Sequence, residues 1–467
     1  MAEPIAAQQQ ADLVIEALKA RFSGADLVLG TGLAERHASL WDTAPTSAKA
    51  LVFARSTEDV SFVLKTCHAA GQPVITQGGL TGLVRGAEAR RGDVILSLEK
   101  MTAIGPPDPA GGTVVVEAGA ILEVVQDEMK QHGLRFPLDL GARGSCTIGG
   151  NVATNAGGIN VIRYGMMRNL VLGLEAVLAD GTVLSSMNQM LKNNAGYDLK
   201  QLFIGTEGTL GVVTRIVLRL FPEPKSSNSA LVAMHSFDAV SAFLARARAG
   251  LGGNLSAFEV MWGGYFAAVT GDDGHRAPMA RDHGFYAIIL SEGVSPDADQ
   301  AAFEALLNEA LEEGEIIDAV LPKSEAESRA IWTIREDFSP LLTMGPVFVY
   351  DVSLPIRDMA AYVARIEAQI TQRWEGGRLF TFGHIADGNL HLFVLPGTDQ
   401  ASHDDSDQIV YGVLADYPGS VSAEHGIGIE KKGWLSSSRT AEEIAIMKAL
   451  KATLDPKTIL NPAVMFG

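Results

Sequence analysis

Two long glycine-rich stretches constrain the fold of this chain more than any other feature. Residues 75–87 read ITQGGLTGLVRGA directly after a predicted strand, and residues 137–158 read PLDLGARGSCTIGGNVATNAGG. Each combines glycine with hydroxyl residues, a composition that lets consecutive backbone N–H groups curve around a phosphate. Neither contains a Walker or a Rossmann glycine motif. One such stretch alone would be a set of turns, but two in one domain predict a site for a diphosphate ligand.

The remainder of the first half alternates strands and helices. Residues 49–54 and 73–77 have the pattern of strands, and residues 56–71 that of a helix opened by Ser56. A hairpin is predicted to turn at Asp180-Gly181. The polar, proline-bearing segment that begins near residue 222 marks a predicted domain boundary.

The second half contains further predicted strands and helices. Residues 285–293 and 346–355 are typical of strands, and residues 301–313 of an acidic helix. Residues 441–456 predict a last helix, whose Leu and Met residues at helical spacing we assign to the core. No internal repeat or low-complexity tract interrupts this pattern.

The segment GHIADGNLHLF, residues 383–393, places two histidines around a strong turn signal. The Asp387-Gly388-Asn389 sequence disfavours a helix, since all three residues favour turns. A two-residue Asp387-Gly388 turn would pair His384 with His391, with Cβ atoms about 4.5–5.5 Å apart on one face. The segment therefore predicts a two-histidine clamp for an ion or a small molecule.

Composition limits the classes of partner and of location. The 467 residues include 37 Lys and Arg against 55 Asp and Glu, for a net charge of −18, which argues against a nucleic-acid partner. Cys67 and Cys146 form neither a disulfide framework nor a thiolate metal site. The amino terminus has the pattern of an amphipathic helix and not of a signal peptide. No stretch approaches the roughly 18 apolar residues of a membrane span. We therefore expect a soluble, cytoplasmic protein.

Taken together, the motifs resemble one family along nearly the whole chain. Besides the two glycine-rich stretches, they are RYG (163–165), NNAGYDLKQLFIGTEGTLGVVT (193–214), GHxxDGNLH (383–391) and SAEHGIG (422–428). The chain is similar to the FAD-linked D-2-hydroxyacid dehydrogenases of the vanillyl-alcohol oxidase superfamily, the branch of D-lactate and D-2-hydroxyglutarate dehydrogenases.

The resemblance implies an α+β fold in three parts. Residues 1–222 would form a two-subdomain FAD-binding domain of vanillyl-alcohol oxidase type, and residues 223–410 an antiparallel-sheet substrate (cap) domain that carries the histidine hairpin. Residues 411–467 would be a C-terminal helical segment that returns to the flavin.

The resemblance also implies a set of FAD-binding residues. Those around the pyrophosphate would be Gly78, Gly79, Thr81, Gly82 and Leu83. Those along the flavin and ribityl chain would be Pro137, Asp139, Gly141, Ser145, Thr147, Ile148, Gly149, Gly150, Asn155 and Gly158. Glu207, Gly208 and Val213 would meet the adenosine, and Asn461 the flavin. Residues 75–87 contain no histidine, and Cys146 matches a position that the non-covalent branch also carries, so we expect non-covalent FAD.

The candidate metal ligands are two histidines and one glutamate. His384, His391 and Glu424 offer the ligand set of a catalytic divalent ion, zinc or a similar metal. His425, next to Glu424, would take the hydroxyl proton of the substrate as a general base while the carbon-bound hydrogen passes to flavin N5. The other histidines lack such neighbours and are assigned to structural or surface roles: His37, His68, His132, His235, His275, His283 and His403.

The resemblance further implies a substrate-binding arginine. Arg335 matches the family arginine that pairs with the substrate carboxylate, a task that suits a bidentate guanidinium. Without the resemblance, a surface ion pair with Glu336 or Asp337 would be the simpler interpretation. Ser339 would face the same way if the helix continues, and we count it with the catalytic residues.

Two positions depart from the D-2-hydroxyglutarate pattern. Val349 and Phe393 stand where members that act on D-2-hydroxyglutarate have a lysine and an asparagine near the distal carboxylate. A second carboxylate would then lie unpaired in an apolar pocket, at a cost of several kcal/mol. The expected substrate is thus D-lactate or another monocarboxylic 2-hydroxyacid, with D-2-hydroxyglutarate as the alternative.

Two other classes of protein remain open from the residues alone. A metal-dependent hydrolase would use the same ligands, although no H-E-x-x-H motif is present and a hydrolase needs no long glycine stretches. A flavin-binding protein without turnover is the second alternative. For a dehydrogenase, the electron acceptor would be an electron-transfer flavoprotein or a quinone. A homodimer is one open oligomeric state.

Overall fold

A computed structural model describes residues 13–37, 39, 44–271 and 274–466 of the chain. These residues form two compact units. The first unit runs to Gly157, continues through Met166–Glu223 and resumes at Glu424, and the second consists of Gly158–Gly165 and Pro224–Ala423. The contacts therefore assign residues 411–423 to the second unit, whereas the predicted C-terminal segment begins at residue 411.

The strands are, in chain order, β1 (Leu27–Leu29), β2 (Ala50–Phe53), β3 (Val74–Gln77), β4 (Val94–Ser97), β5 (Thr113–Glu117), β6 (Leu134–Arg135), β7 (Val171–Val177), β8 (Val183–Ser186), β9 (Val212–Arg219), β10 (Phe221–Pro222), β11 (Ser226–Met234), β12 (Leu255–Trp262), β13 (Phe285–Gly293), β14 (Asp318–Val320), β15 (Phe348–Ser353), β16 (Arg378–His384) and β17 (Asn389–Leu395).

The helices are α1 (residues 13–21), α2 (Thr57–Ala70), α3 (Leu122–Gln131), α4 (Ile148–Thr154), α5 (Val161–Tyr164), α6 (Met167–Leu170), α7 (Phe237–Leu251), α8 (Gly263–Val269), α9 (Pro296–Glu312), α10 (Glu325–Glu336), α11 (Ser339–Leu342), α12 (Ile356–Arg373), α13 (His403–Leu414) and α14 (Ala441–Leu454). The part of the predicted amino-terminal helix before residue 13 lies outside the described residues. No described helix has the length and apolar character that crossing a membrane requires.

The first unit contains two four-stranded sheets. One has the order β1-β2-β4-β3, in which β2 and β3 run parallel to β4. The other has the order β5-β9-β7-β8 and is antiparallel. Helix α2 forms the crossover connection between β2 and β3, which run in the same direction on either side of β4. Ser56 Oγ accepts the Asp59 N–H and caps α2, as the sequence predicts.

The predicted hairpin at Asp180-Gly181 is confirmed, with a longer loop. Val177 pairs with Val183, and Leu178 N–H donates to Thr182 O, so the turn is wider than a two-residue loop. Gly181 has φ +88°, a left-handed conformation that glycine adopts without strain.

The second unit is built on a seven-stranded antiparallel sheet. Its described strands follow the order β14-β11-β13-β12-β16-β17-β15. An apolar cluster on one face includes Tyr265, Phe266, Tyr286, Phe382 and Phe393. Burial of these aromatic rings holds β16 and β17 rigidly beside β12 and β15, the strands that carry the candidate site.

The Leu and Met residues of α14, which the pattern assigns to the core, are only partly buried. Met447, Leu450 and Leu454 are half-buried, and the buried residue of this helix is Lys451. The Lys451 ammonium donates to Asp455 Oδ2 at 2.6 Å, Leu460 O at 2.7 Å and Thr209 O at 2.8 Å. A buried, fully hydrogen-bonded cation therefore fastens this helix, and not an apolar stripe.

Candidate active site

His384 and His391 lie together on the central strands of the second unit. His384 ends β16 and His391 lies on β17, and the exposed fractions are 5% and 9%. Their ring centroids are 5.4 Å apart, and a ring nitrogen of one lies within 4.8 Å of a ring nitrogen of the other. The predicted two-histidine clamp is therefore present as a side-chain arrangement.

The predicted register of this hairpin is wrong. His391 pairs with Phe382 and not with His384. The turn is not a two-residue loop, because Ile385–Asp387 form a 3-10 turn that ends at Gly388 with φ +94°. The difference shifts the register by an even number of residues, so both histidines keep the face that the prediction assigned to them.

Each histidine lies beside a carboxylate on the strand that flanks the β16–β17 hairpin on its side. Glu259 on β12 pairs with His384, and Asp351 on β15 pairs with His391. Glu259 is 1% exposed and Asp351 is fully buried. Buried carboxylates require partners, and carboxylates that hydrogen-bond to histidines orient these rings in metal sites. The prediction from sequence missed both residues, although each is a single acid inside an apolar strand.

Glu259 binds two side chains at once. Its Oε1 lies 2.6 Å from His384 Nδ1, and its Oε2 accepts Arg335 Nε at 2.7 Å. Burial pushes the pKa of Glu259 upward, but attraction to His384 and Arg335 outweighs it and leaves the pKa below its ordinary value. Glu259 is therefore a carboxylate that belongs to the site.

Arg335 is held against His384 and an aromatic ring. Its Nη2 lies 3.1 Å from His384 Nε2, and its guanidinium lies 4.8 Å from the Phe382 ring centroid. A guanidinium has only donors, so His384 Nε2 accepts and its proton resides on Nδ1, which donates to Glu259. The alternative interpretation, a surface ion pair with Glu336 or Asp337, is wrong, since Arg335 pairs with the buried Glu259.

The helix of Arg335 does not continue to Ser339. Helix α10 ends at Glu336, Asp337 has extended backbone, and α11 begins at Ser339. Asp337 Oδ1 accepts the Ser339 N–H at 3.0 Å, which stabilises the break. Ser339 was expected to face the same way as Arg335 only if one helix contained both residues, and they lie in two separate helices.

Asp351 anchors the segment that leads into the SAEHGIG motif. It accepts hydrogen bonds from Asn389 Nδ2 at 2.6 Å, Ala423 N at 3.1 Å and Ser422 Oγ at 3.3 Å. Asn389 is thus more than a turn former. Glu424 and His425 come next in the chain after Ala423 and belong to the first unit.

The two predicted specificity residues differ in environment. Val349 and Phe393 pair across β15 and β17. Phe393 is 2% exposed, with its ring 5.1 Å from that of Phe338 and 5.6 Å from that of Phe382. Val349 is 42% exposed and lies outside the apolar cluster that contains Phe393.

A cavity of about 480 Å³ opens elsewhere in the second unit. It is lined by residues that include Trp262, Leu379 and Thr381. Leu379 and Thr381 alternate along β16 with Phe380 and Phe382, so the cavity lies on the sheet face opposite to the histidine pair. It is not part of the candidate site.

The two glycine-rich stretches meet in the first unit. A Cβ on Gly79 would collide with Ser145 O, and one on Gly78 would lie 2.5 Å from Thr147 Oγ1. Among the described residues, nothing lies within 4 Å of a Cβ placed on Gly82 or Gly141. The loops therefore contact each other through backbone on one side and leave room on the other, which fits a cradle for a phosphate-bearing cofactor.

Glu207 and Asn461 bind protein groups. Glu207 has φ +52°, and its carboxylate accepts the N–H groups of Ile427 and Gly428, each at 2.8 Å. Asn461 Nδ2 donates to Glu207 O at 2.6 Å, and Asn461 Oδ1 accepts Thr76 N at 3.0 Å. These side chains thus fasten the last stretch of the first unit to β3, a role that the prediction missed.

Comparison with known proteins places the chain in a family. Residues 223–465 match the family of FAD linked oxidases, C-terminal domain, and residues 48–186 match the FAD binding domain family. The chain belongs to the FAD-linked oxidases. The FAD binding domain match contains both glycine-rich stretches, and it confirms FAD as the cofactor expected from them.

Curated relatives cover most of the chain. It is 39% identical over 423 residues to D-2-hydroxyglutarate dehydrogenase of Xanthomonas citri pv. viticola, covering 89% of each chain. It is 40% identical over 421 residues to the mitochondrial D-2-hydroxyglutarate dehydrogenase of Bos taurus, covering 90% of this chain and 77% of the relative.

Solved structures confirm the fold. The chain resembles p-cresol methylhydroxylase with a TM-score of 0.77 and 16% identity, over 98% of this chain and 96% of that one. It resembles 4-ethylphenol oxidase from Gulosibacter chungangensis with a TM-score of 0.76 and 17% identity, over 98% and 97%. The α+β architecture of vanillyl-alcohol oxidase type is thereby confirmed.

Proposed function

We propose that this FAD-linked oxidase oxidises a D-2-hydroxyacid to the 2-oxoacid, with D-2-hydroxyglutarate as the first candidate substrate. The observation that carries the reaction class is the guanidinium of Arg335, held 3.1 Å from a ring nitrogen of the histidine pair. A guanidinium binds a carboxylate, and a metal ion on the neighbouring histidines would bind an adjacent hydroxyl, so the two together suit a 2-hydroxyacid.

Arg335 binds the carboxylate of the substrate. Glu259 accepts its Nε–H and His384 accepts one Nη2–H, which leaves three N–H groups of the guanidinium for the substrate. The Phe382 ring under the guanidinium holds the plane in place, which reduces the conformational entropy lost on binding.

FAD, held by the two glycine-rich stretches, accepts the hydride when bound. We propose that it is bound without a covalent bond. Cys146 is 3% exposed, and burial raises the pKa of its thiol to about 11, so it is a poor nucleophile toward the flavin.

A divalent ion, with zinc as the first candidate, is proposed to bind His384, His391 and Glu424. The donor set fits, because His384 and His391 each offer a ring nitrogen and these nitrogens lie within 4.8 Å of each other. The N–H of Ala423 is held by the Asp351 carboxylate. The Cα of Glu424, the next residue, lies about 3.8 Å from the Cα of Ala423. Such an ion would lower the pKa of the substrate hydroxyl, and His425 would take the hydroxyl proton.

The choice of substrate follows the relatives. The two relatives described above are named D-2-hydroxyglutarate dehydrogenases, and they support the alternative more than the predicted preference for D-lactate. That preference rested on Val349 and Phe393, and Val349 is 42% exposed. The burial of Phe393 among other aromatic rings keeps a monocarboxylic hydroxyacid as the second candidate.

Anaerobic flavin reduction tests this proposal. The purified protein is mixed with D- and L-forms of 2-hydroxyglutarate and lactate while the oxidised flavin absorption is followed. Rapid bleaching by D-2-hydroxyglutarate with a higher kcat/KM than for D-lactate is the expected result. Bleaching by D-lactate alone would reverse the order of the candidates, and no bleaching by any hydroxyacid would overturn the reaction class. Electron-transfer flavoprotein and quinone are the acceptors to test next.

A further inference from the structure

Glu259 is the point at which the metal-binding and carboxylate-binding parts of the proposed site are joined. Its two oxygens have different partners, Oε1 on His384 and Oε2 on Arg335, at 2.6 and 2.7 Å. Its side chain is 1% exposed, so water cannot substitute for either partner. One buried carboxylate therefore sets the position of both side chains.

We propose that Glu259 is a positioning residue that couples divalent-metal affinity to substrate-carboxylate affinity. The inference rests on the proposed function, because it takes His384 as a metal ligand and Arg335 as the carboxylate-binding residue. In this proposal Glu259 acts through His384 and Arg335, its two side-chain partners.

The effect on His384 is to fix its tautomer. With the proton on Nδ1 donated to Glu259, Nε2 carries no proton and accepts Arg335 Nη2, a contact that a bound ion would replace. A histidine binds metal through such an unprotonated nitrogen, and a carboxylate behind the ring raises its basicity. Loss of this carboxylate frees the ring to rotate or to adopt the other tautomer.

The effect on Arg335 is to hold one edge of the guanidinium. Arg335 Nε is engaged by Glu259 and its side chain is only 11% exposed, so the remaining N–H groups have a fixed direction. Without the carboxylate, a buried cation would lose its counter-charge, and its side chain would have to reorient or recruit water.

Glutamine cannot replace both functions of Glu259. The bonds to His384 and Arg335 each require an acceptor, and glutamine has one carbonyl oxygen beside an NH₂ group that only donates. One of the two partners must therefore face a donor, so Glu259→Gln disturbs at least one of them while keeping the volume of the side chain.

The test uses flavin-loaded full-length protein. Zn²⁺ dissociation constants are measured by competition with a chromophoric chelator, and Co²⁺ loading is followed through its visible ligand-field bands. Steady-state KM and kcat are measured with D-2-hydroxyglutarate and D-lactate. We expect Glu259→Gln to weaken Zn²⁺ binding by about 10- to 100-fold, to alter the Co²⁺ spectrum and to raise KM by more than it lowers kcat.

Glu292→Gln is the matched control. Glu292 is also a buried carboxylate of the same sheet, 7% exposed on β13, and its ion-pair partner is Arg163 at 3.9 Å. Removing its charge tests the general cost of losing a buried acid. Zn²⁺ affinity and KM like those of the wild type are expected.

The outcomes separate this inference from the proposed function. If wild-type protein binds no Zn²⁺ or Co²⁺, the proposed metal is wrong and the coupling falls with it. If wild type binds the ion and Glu259→Gln binds it equally with an unchanged KM, only the positioning role is overturned. Should Glu259→Gln not fold, Glu259→Asp retains the charge but is too short for both bonds. Wild-type affinity and KM in that variant would also overturn the inference.

Discussion

At the scale of single residues, the proposed binding of the substrate carboxylate depends on the environment of Arg335. Its guanidinium contacts three groups: the buried carboxylate of Glu259, a ring nitrogen of His384 and the aromatic face of Phe382. A planar group held on three sides presents its free N–H groups in one direction. This rigidity is what distinguishes a binding arginine from the surface ion pairs of the same helix.

Arg335→Lys is expected to raise KM for the hydroxyacid by about 10- to 100-fold, since losing a charge-assisted bidentate contact costs about 1.5–3 kcal/mol. Lysine keeps the charge but lacks the fork that can bind Glu259 and a substrate together. Steady-state kinetics provide the measurement. Arg329→Lys, on the exposed face of α10 beside Glu325, should leave KM unchanged. An unchanged KM in Arg335→Lys would remove this residue from substrate binding.

At the scale of elements, the meeting of the two glycine-rich stretches determines whether the cofactor can be held. Gly79 approaches the backbone of Ser145, and Gly78 approaches the side chain of Thr147, so closely that a Cβ on either glycine would collide. The sequence shows the glycines, but which pair of loops they join is visible only in the folded unit.

Gly79→Ala should therefore separate the loops and yield protein depleted in flavin. Its Cβ would meet the backbone of Ser145, which cannot move aside as a flexible side chain could. The ratio of flavin to protein absorption after purification measures the loss. Gly412→Ala serves as the control, because a Cβ there meets no described atom within 4 Å and α13 gains helix propensity. Full flavin content in Gly79→Ala would contradict the close packing of the loops.

The helix α14 depends on its buried lysine. Burial lowers the pKa of Lys451, and the ion pair with Asp455 opposes that shift. We expect Lys451→Met to reduce the free energy of unfolding by about 3–5 kcal/mol, because Asp455 would remain as a buried charge without its counter-ion. Chemical denaturation provides the measurement. Lys448→Met, at an exposed position of the same helix, should change it little, and equal stabilities of the two variants would argue against this role.

At the scale of the whole molecule, cofactor and metal are assigned to different sets of residues. The glycine-rich stretches are residues 75–87 and 137–158, and the proposed metal ligands are His384, His391 and Glu424. Binding of one group therefore need not require the other.

Prolonged dialysis against a chelator is accordingly expected to abolish flavin reduction by D-2-hydroxyglutarate while the protein stays yellow. Reduction of the flavin by dithionite should be unaffected, which shows that the cofactor itself is competent. Activity should return when Zn²⁺ or another divalent ion is added back. Full activity after verified removal of metal would exclude the ion from the reaction.

The sequence by itself determined the local features of this protein. Ser56 begins a helix and Gly181 lies in a hairpin turn, because capping and left-handed backbone depend on neighbours in the chain. The face shared by His384 and His391 was also predictable, since alternation along a strand survives an even shift in register. The glycine loops predicted a diphosphate ligand for the same local reason, because they act through their own backbone, and the family resemblance implied that this ligand is FAD.

Only the tertiary structure decided which distant residues complete the site. Glu259 and Asp351 lie on strands far from the histidines in sequence, and nothing local distinguishes them from other acids until β12 and β15 pair with β16 and β17. The exposure of Val349 and the burial of Lys451 likewise depend on which elements cover them. Burial, pKa and pairing are properties of the assembled sheet, so they arise only when long-range packing excludes water from these side chains.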